Sequence, residues 1–139
     1  MMRVRLRTAE AMIFVAAARA LVRFVPFARW RPMLGASRPY SPPAEPAATV
    51  ESGLAEKVRY CSAAVRRASY RLPASLCLPQ AMAMRWMLAR RGIKCAVIVG
   101  FLPSNQRGSA HDLHAWVEWN GKIVLGDSGG AHSILLQFS

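Results

Sequence analysis

Three side chains in the second half of the chain, Cys77, His114 and Asp127, have the types that nucleophilic catalysis by cysteine requires. In that chemistry a thiolate attacks a carbonyl carbon, a histidine moves the proton, and a carboxylate orients the histidine. The residue types alone leave simpler interpretations open, because cysteine is often buried as packing and an opposed His and Asp can be a structural ion pair.

The histidine and the aspartate lie at the two ends of a predicted β-hairpin, HAWVEWNGKIVLGD, residues 114–127. Its central Asn-Gly pair is the strongest short-range signal for a two-residue turn, since both turn positions need a positive φ. Such a turn opposes Trp119 to Lys122, and counting along both strands opposes His114 to Asp127. Directly opposed residues have Cβ atoms about 4.5–5.5 Å apart, close enough for the carboxylate to accept a hydrogen bond from the imidazole. A register slip of one residue would break this pair.

Cys77 stands at the beginning of a predicted helix, in the segment ASLCLPQAM. Pro79 suits a first helical turn rather than a helix interior, so it marks the helix start. The unpaired N–H groups and the dipole of a helix N-terminus stabilise a thiolate, which is the nucleophilic form of cysteine. Cys61 and Cys95 fall in an apolar helix stripe and a buried strand, where packing explains them. Cys77 is therefore the candidate nucleophile, with one more buried cysteine as the alternative.

The elements that position these residues run from helices to strands. Apolar spacing predicts helices over Val50–Arg71 and Leu76–Arg91, a strand over Lys94–Phe101, the two hairpin strands, and a last strand SILLQF. Helices followed by antiparallel strands predict an α+β domain.

The first 49 residues are expected to precede the compact domain, which spans 50–139. Residues 1–34 carry a basic amphipathic helical pattern, which predicts a helix packed on the domain or on a partner. A cleaved secretory signal is the alternative, but Glu10 and Arg19 bound a short apolar stretch, and no run approaches the roughly 20 apolar residues of a membrane span. Residues 35–49 contain four prolines and predict a linker or surface loop.

The net charge of +12 is concentrated in residues 1–91, which hold 16 of the 19 basic residues. Such a charge suits nucleic acid, anionic lipid or an acidic protein, or it is a solvated surface. The sequence has no zinc-finger spacing and no aromatic RNA-binding signature, so nucleic acid is not expected as a partner. A membrane is not expected as a partner either. Three cysteines without CxxC spacing favour a reducing compartment, so we expect the protein in the cytoplasm.

The segments SLCLPQAMAMRWMLARRGIKCAVIVGF and HAWVEWNGKIVLGD resemble the catalytic domain of the lasso-peptide leader peptidases, which are transglutaminase-like (papain-like) cysteine proteases of bacterial peptide maturation. The resemblance covers about residues 50–139 in the family order Cys, His, Asp. It implies a transglutaminase-like core in which the catalytic helix packs on a small antiparallel sheet. It also implies Cys77 as nucleophile, His114 as general base and acid, and Asp127 as the orienting group.

The resemblance implies partners as well as chemistry. Such enzymes remove the leader from a ribosomally synthesised lasso-peptide precursor, which frees the core's N-terminal amine for a separate ATP-dependent cyclase. A leader-binding recognition protein or a fused domain presents the precursor. The region before residue 50 is too short and too proline-rich for that domain, so a separate leader-binding protein is expected. No cofactor and no metal are implied.

Three alternatives to a peptidase stay open. Zinc could be held by the three candidate residues with His111, although strand alternation points His111 away from His114. The chain could instead be a non-catalytic basic binding or scaffold module of a peptide-maturation complex. A related transglutaminase-like acyltransferase would pass the acyl group to an amine rather than to water.

The remaining polar residues near the motifs receive no catalytic role. Gln80 follows Cys77 by three residues, and no motif supports it in an oxyanion hole. The backbone N–H of Cys77 is the safer donor there. His132 and Asp112 are predicted as surface or loop residues.

Overall fold

The computed structural model describes residues 1–42, 51–72, 76–101, 113–129 and 132–139. Within these ranges the helices are α1 (Met2–Phe24), α2 (Phe27–Trp30), α3 (Ser52–Arg71) and α4 (Cys77–Ala89), with one 3-10 turn over Arg31–Leu34. The strands are β1 (Ser37–Arg38), β2 (Ala96–Phe101), β3 (Leu113–Trp119), β4 (Lys122–Leu125) and β5 (Ser133–Phe138). They form one antiparallel sheet in the order β1-β5-β2-β3-β4. The predicted α+β class is confirmed.

Helix α4 forms the centre of the core, between α1 and α3 on one side and strands β2 and β3 on the other. Most residues of α4 are apolar, which suits this position, and its fully buried side chains include Met82, Met84, Met87 and Leu88. At its end, Gly92 adopts a φ of 70° and the N–H of Ile93 donates to the carbonyl of Leu88 at 3.0 Å. This glycine-based cap follows the helix, which ends at Ala89, two residues before the predicted end at Arg91.

Helix α1 packs against both α3 and α4. Its buried apolar side chains, Ala11, Val15 and Ala18, belong to the same core as those of α3, α4 and the sheet. Helix α1 is therefore one layer of the domain. None of the helices in the described part of the chain has the length and apolar character that a membrane crossing requires.

Part of the proline-rich segment 35–49 joins the sheet. Strand β1 pairs with β5, with Ser37 opposite Phe138 and Arg38 opposite Gln137. Residues 43–49 of this segment lie outside the described residues. The described part of the predicted linker thus supplies an edge strand.

The hairpin turn forms as predicted, but the strand register beyond it does not. Asn120 and the glycine after it have φ values of 49° and 72°, as a two-residue hairpin turn needs. Trp119 opposes Lys122, and the next pair follows in register. The register then shifts, so that Val117 opposes Leu125. The predicted direct opposition of His114 and Asp127 is therefore wrong.

The physical reason for the shift is a β-bulge at Val124, the extra residue on β4. A bulge turns two successive residues toward one side of the sheet, and here Leu125 is buried in the core while Val124 packs against it. The Val124 carbonyl accepts a hydrogen bond of 2.7 Å from the hydroxyl of Ser62 on α3. Helix α3 therefore stabilises the bulge through contacts distant in sequence.

A bidentate ion pair connects α1 to the end of α4. Arg91 donates to the two carboxylate oxygens of Glu10 at 3.1 and 2.7 Å, and Arg90 lies 3.5 Å from the same carboxylate. The hydrogen bond from Arg91 lowers the pKa of Glu10 from its ordinary value of 4.5, against the opposing effect of burial. The charged form of Glu10 thus stabilises the folded chain.

We expect the substitution Glu10→Gln to reduce the free energy of unfolding by about 1 kcal/mol at neutral pH. Because the pKa is lower in the folded chain, the stabilisation is complete above pH 4.5 and is lost as the pH falls through the folded-state pKa. Urea unfolding measured between acidic and neutral pH tests this. Glu56→Gln is the control, since Glu56 contacts the hydroxyl of Tyr60 rather than a basic group. Equal pH dependence in the wild type and Glu10→Gln would contradict the assignment.

Candidate active site

Cys77 is the first residue of α4, at the end of the helix where the first backbone N–H groups have no partner within the helix. Leu76, at the N-cap, provides no side-chain cap, and Pro79 lies in the first turn as predicted. The Cys77 side chain is half-buried, and its thiol donates to the carbonyl of Leu113 at 3.8 Å. The thiol therefore contacts the backbone immediately before His114.

The other two cysteines are less suited to nucleophilic attack. Cys61 is 1% exposed, and burial raises the pKa of its thiol. Burial raises the pKa of Cys95 to about 11, although the nearby Arg85 partly opposes this shift. Both are therefore protonated at neutral pH, and a protonated thiol is a poor nucleophile.

His114 lies half-buried on β3, and its Nε2 atom is 2.5 Å from the carbonyl oxygen of Gly126. A carbonyl oxygen only accepts, so Nε2 carries a hydrogen and Nδ1 is the nitrogen that can take a proton from a thiol. A β-carbon added at Gly126 would lie 2.9 Å from the carbonyl oxygen of Ala115. The φ of Gly126 is 86°, a value that favours glycine. Glycine at this position thus allows the close approach that orients the imidazole.

Asp127 is exposed and directly follows this glycine. Its Oδ1 atom accepts a hydrogen bond of 3.0 Å from the backbone N–H of Gly129. The carboxylate therefore contacts its own turn, while the imidazole of His114 contacts the carbonyl of the preceding residue. The two side chains nevertheless line one small cavity of about 60 Å³, together with Trp116, Ile123, Gly126, Ser128 and His132.

His132 is a residue of this cavity that the sequence did not reveal. Its ring stacks on His114, with centroids 4.9 Å apart and planes at 29°, and lies 5.7 Å from the ring of Trp116. The Nδ1 atom of His132 is 3.5 Å from the hydroxyl of Ser128. His132 comes close to His114 because β5 pairs with β2, which brings the start of β5 beside His114. That pairing is not visible in the local sequence.

A metal site is not formed by the described residues, which contain no group of three or more His, Cys, Asp or Glu placed to hold an ion. His111, the fourth ligand in the zinc alternative, lies outside them, as does Asp112.

The structure brings the three candidate residues to one end of the sheet in a chain of neighbouring contacts. The thiol of Cys77 meets the carbonyl before His114, and the imidazole meets the carbonyl before Asp127. In enzymes without bound substrate, catalytic hydrogen bonds are often long and tighten only in the complex. The arrangement can support attack by a thiolate, with His114 as the proton carrier.

Comparison with known proteins adds one finding. A family profile described as the transglutaminase-like superfamily matches residues 11–134, which is most of the chain. Searches among curated proteins and among solved structures returned no match. The matched region begins within α1 and includes all three candidate residues.

Proposed function

Since the chain belongs to the transglutaminase-like superfamily, we propose that it is a cysteine endopeptidase with Cys77 as nucleophile, His114 as general base and acid, and Asp127 as the orienting group. Membership of the superfamily supports a cysteine protease or acyltransferase kind of function. The observation that carries the finer proposal is the position of Cys77, which opens the central helix and contacts the backbone directly before His114.

The proposed reaction proceeds through a thioester. His114 takes the thiol proton, and the thiolate attacks the carbonyl carbon of the scissile peptide bond. The carbon–nitrogen bond breaks as the imidazolium returns the proton to the leaving amine. Water, deprotonated by His114, then hydrolyses the thioester and releases Cys77. In this proposal the backbone N–H of Cys77 at the helix start stabilises the oxyanion.

The proposed substrate is a ribosomally synthesised lasso-peptide precursor, from which the enzyme removes the leader. Support comes from the segments around Cys77 and His114 that resemble the leader peptidases of this class. The freed N-terminal amine of the core then serves a separate ATP-dependent cyclase, and a separate leader-binding protein presents the precursor. A working thiolate requires reducing conditions, so the cytoplasm is the proposed location.

Acyl transfer to an amine is the second candidate, because the superfamily includes both kinds of chemistry. One experiment distinguishes the two. The purified chain is incubated with the precursor, the leader-binding protein and a primary amine, and the masses of the products are measured by mass spectrometry. Hydrolysis gives a leader with a free carboxylate and a core with a free amine, whereas acyl transfer gives a leader that carries the added amine. An intact precursor under all conditions would contradict both candidates.

The basic α1–α3 surface, defined here as Arg7, Arg59 and Arg67, is the proposed docking surface for the leader-binding protein or the cyclase. Arg7 and Arg59 both lie against the ring of Tyr60, with guanidinium carbons 4.8 and 5.7 Å from its centroid. Arg67 donates from α3 to the hydroxyl of Thr8 on α1. An acidic partner surface would complement this charge.

Binding at this surface is expected to weaken several-fold when salt is raised above physiological strength, because screening acts over about 8–10 Å at 0.1–0.15 M. The double substitution Arg7→Gln/Arg59→Gln should weaken binding at low salt and flatten the salt dependence. Lys94→Gln, an exposed position before β2 that lies outside this surface, is the control. Affinity that does not respond to salt in the wild-type chain would exclude this docking mode.

A further inference from the structure

An open groove lies beside Cys77, between the C-terminal half of α1 and the start of α4. Its volume is about 600 Å³, within the range of ligand-binding clefts. Small and apolar side chains form most of its lining, among them Ala20, Phe24, Leu76 and Pro79, and Arg19 and Arg23 complete it.

The groove is adjacent to the nucleophile. Leu76 immediately precedes Cys77, and Pro79 follows it within the first turn of α4. The groove therefore reaches the first turn of the helix that carries the thiol, and a peptide that lies in it can extend around the helix start toward Cys77. The groove is therefore placed to bind substrate next to the scissile bond.

The lining exposes apolar side chains to solvent. Phe24 is 80% exposed and Leu76 is 47% exposed. Covering them with an apolar side chain of a ligand would remove this surface from water, which is favourable in proportion to the area covered.

The two arginines of the groove have no carboxylate partner among the described residues. Arg19 is half-buried and Arg23 is exposed, one turn further along the same face of α1. Arg90 and Arg91, by contrast, are paired with Glu10. With 19 basic residues against seven acidic ones, the chain has few carboxylates of its own to offer. A carboxylate from a ligand would complement both guanidinium groups.

We propose that this groove is a specificity subsite that binds the substrate on the N-terminal side of the scissile bond. It takes three to four extended residues that include an apolar side chain and an Asp or Glu. The length follows from the α1 segment along the groove, about 12 Å for residues 16–24, and from about 3.3 Å per extended residue. The N-terminal part of the substrate stays attached to Cys77 as the thioester after the amine has left, so a subsite for this part holds the substrate through both steps of the reaction. This inference rests on the proposed function.

The test uses two peptidyl acyloxymethyl ketones that alkylate a catalytic cysteine: acetyl-Glu-Glu-Leu-Gly and acetyl-Lys-Lys-Leu-Gly derivatives. The rate of Cys77 alkylation is followed by intact mass. We expect the Glu probe to react about tenfold faster than the Lys probe, since each exposed charge contact changes affinity about two- to fivefold. The substitution Arg19→Gln/Arg23→Gln should abolish this preference, and Arg19→Glu/Arg23→Glu should reverse it.

The control is Arg3→Gln/Arg5→Gln, two exposed positions at the other end of α1 that do not line the groove. It should keep the wild-type preference. Circular dichroism melting of each variant verifies folding, and the iodoacetamide rate verifies that the thiol is unchanged. Equal rates for both probes in the wild type, or a preference that survives Arg19→Gln/Arg23→Gln, would overturn the subsite while iodoacetamide still labels Cys77 selectively. If neither probe nor iodoacetamide labels Cys77 selectively, the proposed function fails, and the subsite fails with it.

Discussion

The variant Cys77→Ala is expected to lose precursor cleavage completely, a decrease of at least about 10⁴-fold. In the proposed mechanism the sulfur of Cys77 forms the thioester, and neither of the other two cysteines is suited to replace it. Cys61 is buried in the core, and the pKa of Cys95 is raised to about 11. Product formation is measured by mass spectrometry of the precursor digest. The fold should persist, because Cys77 is half-buried at a helix start and its side chain makes one long hydrogen bond.

Matched variants separate the loss of the nucleophile from a general effect of removing a thiol. Cys61→Ala and Cys95→Ala should retain cleavage, with lower thermal stability because both side chains pack in the core or against it. Brief sub-stoichiometric iodoacetamide should label Cys77 in the wild type and leave the other two unmodified. Full activity in Cys77→Ala would overturn the assignment of the nucleophile.

The helix that carries Cys77 could be predicted from sequence because its signals are local. Pro79 and Gly92 mark its two ends, and the apolar Met84, Met87 and Leu88 between them predict a helix. The structure gives Cys77–Ala89 and the same glycine at the C-terminal cap. Each of these features depends on residues within a few positions of one another, which is why the prediction holds.

The strand register of the hairpin could not be predicted from local sequence signals alone. The Asn-Gly turn fixes the first two cross-strand pairs, but the bulge at Val124 depends on α3, whose Ser62 lies more than 60 residues away in sequence. Packing of Leu125 in the core requires the extra residue. His132 stacks on His114 for a similar reason, because the pairing of β5 with β2 brings them together. Tertiary contacts therefore decide which groups face the imidazole.

The bulge determines which group of the chain contacts the imidazole of His114. With strand β4 ending at Leu125, the chain places that carbonyl, rather than the carboxylate of Asp127, 2.5 Å from Nε2 of His114. A hydrogen bond to this carbonyl favours the tautomer with the hydrogen on Nε2, which in the proposed mechanism leaves Nδ1 to accept the thiol proton. Asp127 can then have two separate roles. Its charge can stabilise the imidazolium, and its Oδ1 atom can stabilise the turn by accepting from the N–H of Gly129.

The variant Asp127→Asn is expected to keep the fold and lose cleavage by about 10²–10⁴-fold, the range of a lost charge beside a catalytic histidine. The asparagine side-chain oxygen can still accept from the Gly129 N–H, so the turn survives while the negative charge is removed. The measurement is kcat for precursor cleavage, together with thermal unfolding of the same sample. A matching decrease in the rate of Cys77 alkylation by iodoacetamide would indicate that fewer thiolates are paired with imidazolium.

Asp127→Ala completes the comparison, since it removes both the charge and the hydrogen bond to the turn. If the charge stabilises the imidazolium, Asp127→Asn and Asp127→Ala lose similar amounts of activity, and only the alanine variant also loses thermal stability. If Asp127 acts only by holding the turn, Asp127→Asn keeps nearly full activity and Asp127→Ala does not. The second result would leave the Gly126 carbonyl as the group that orients His114 and would remove Asp127 from the catalytic assignment.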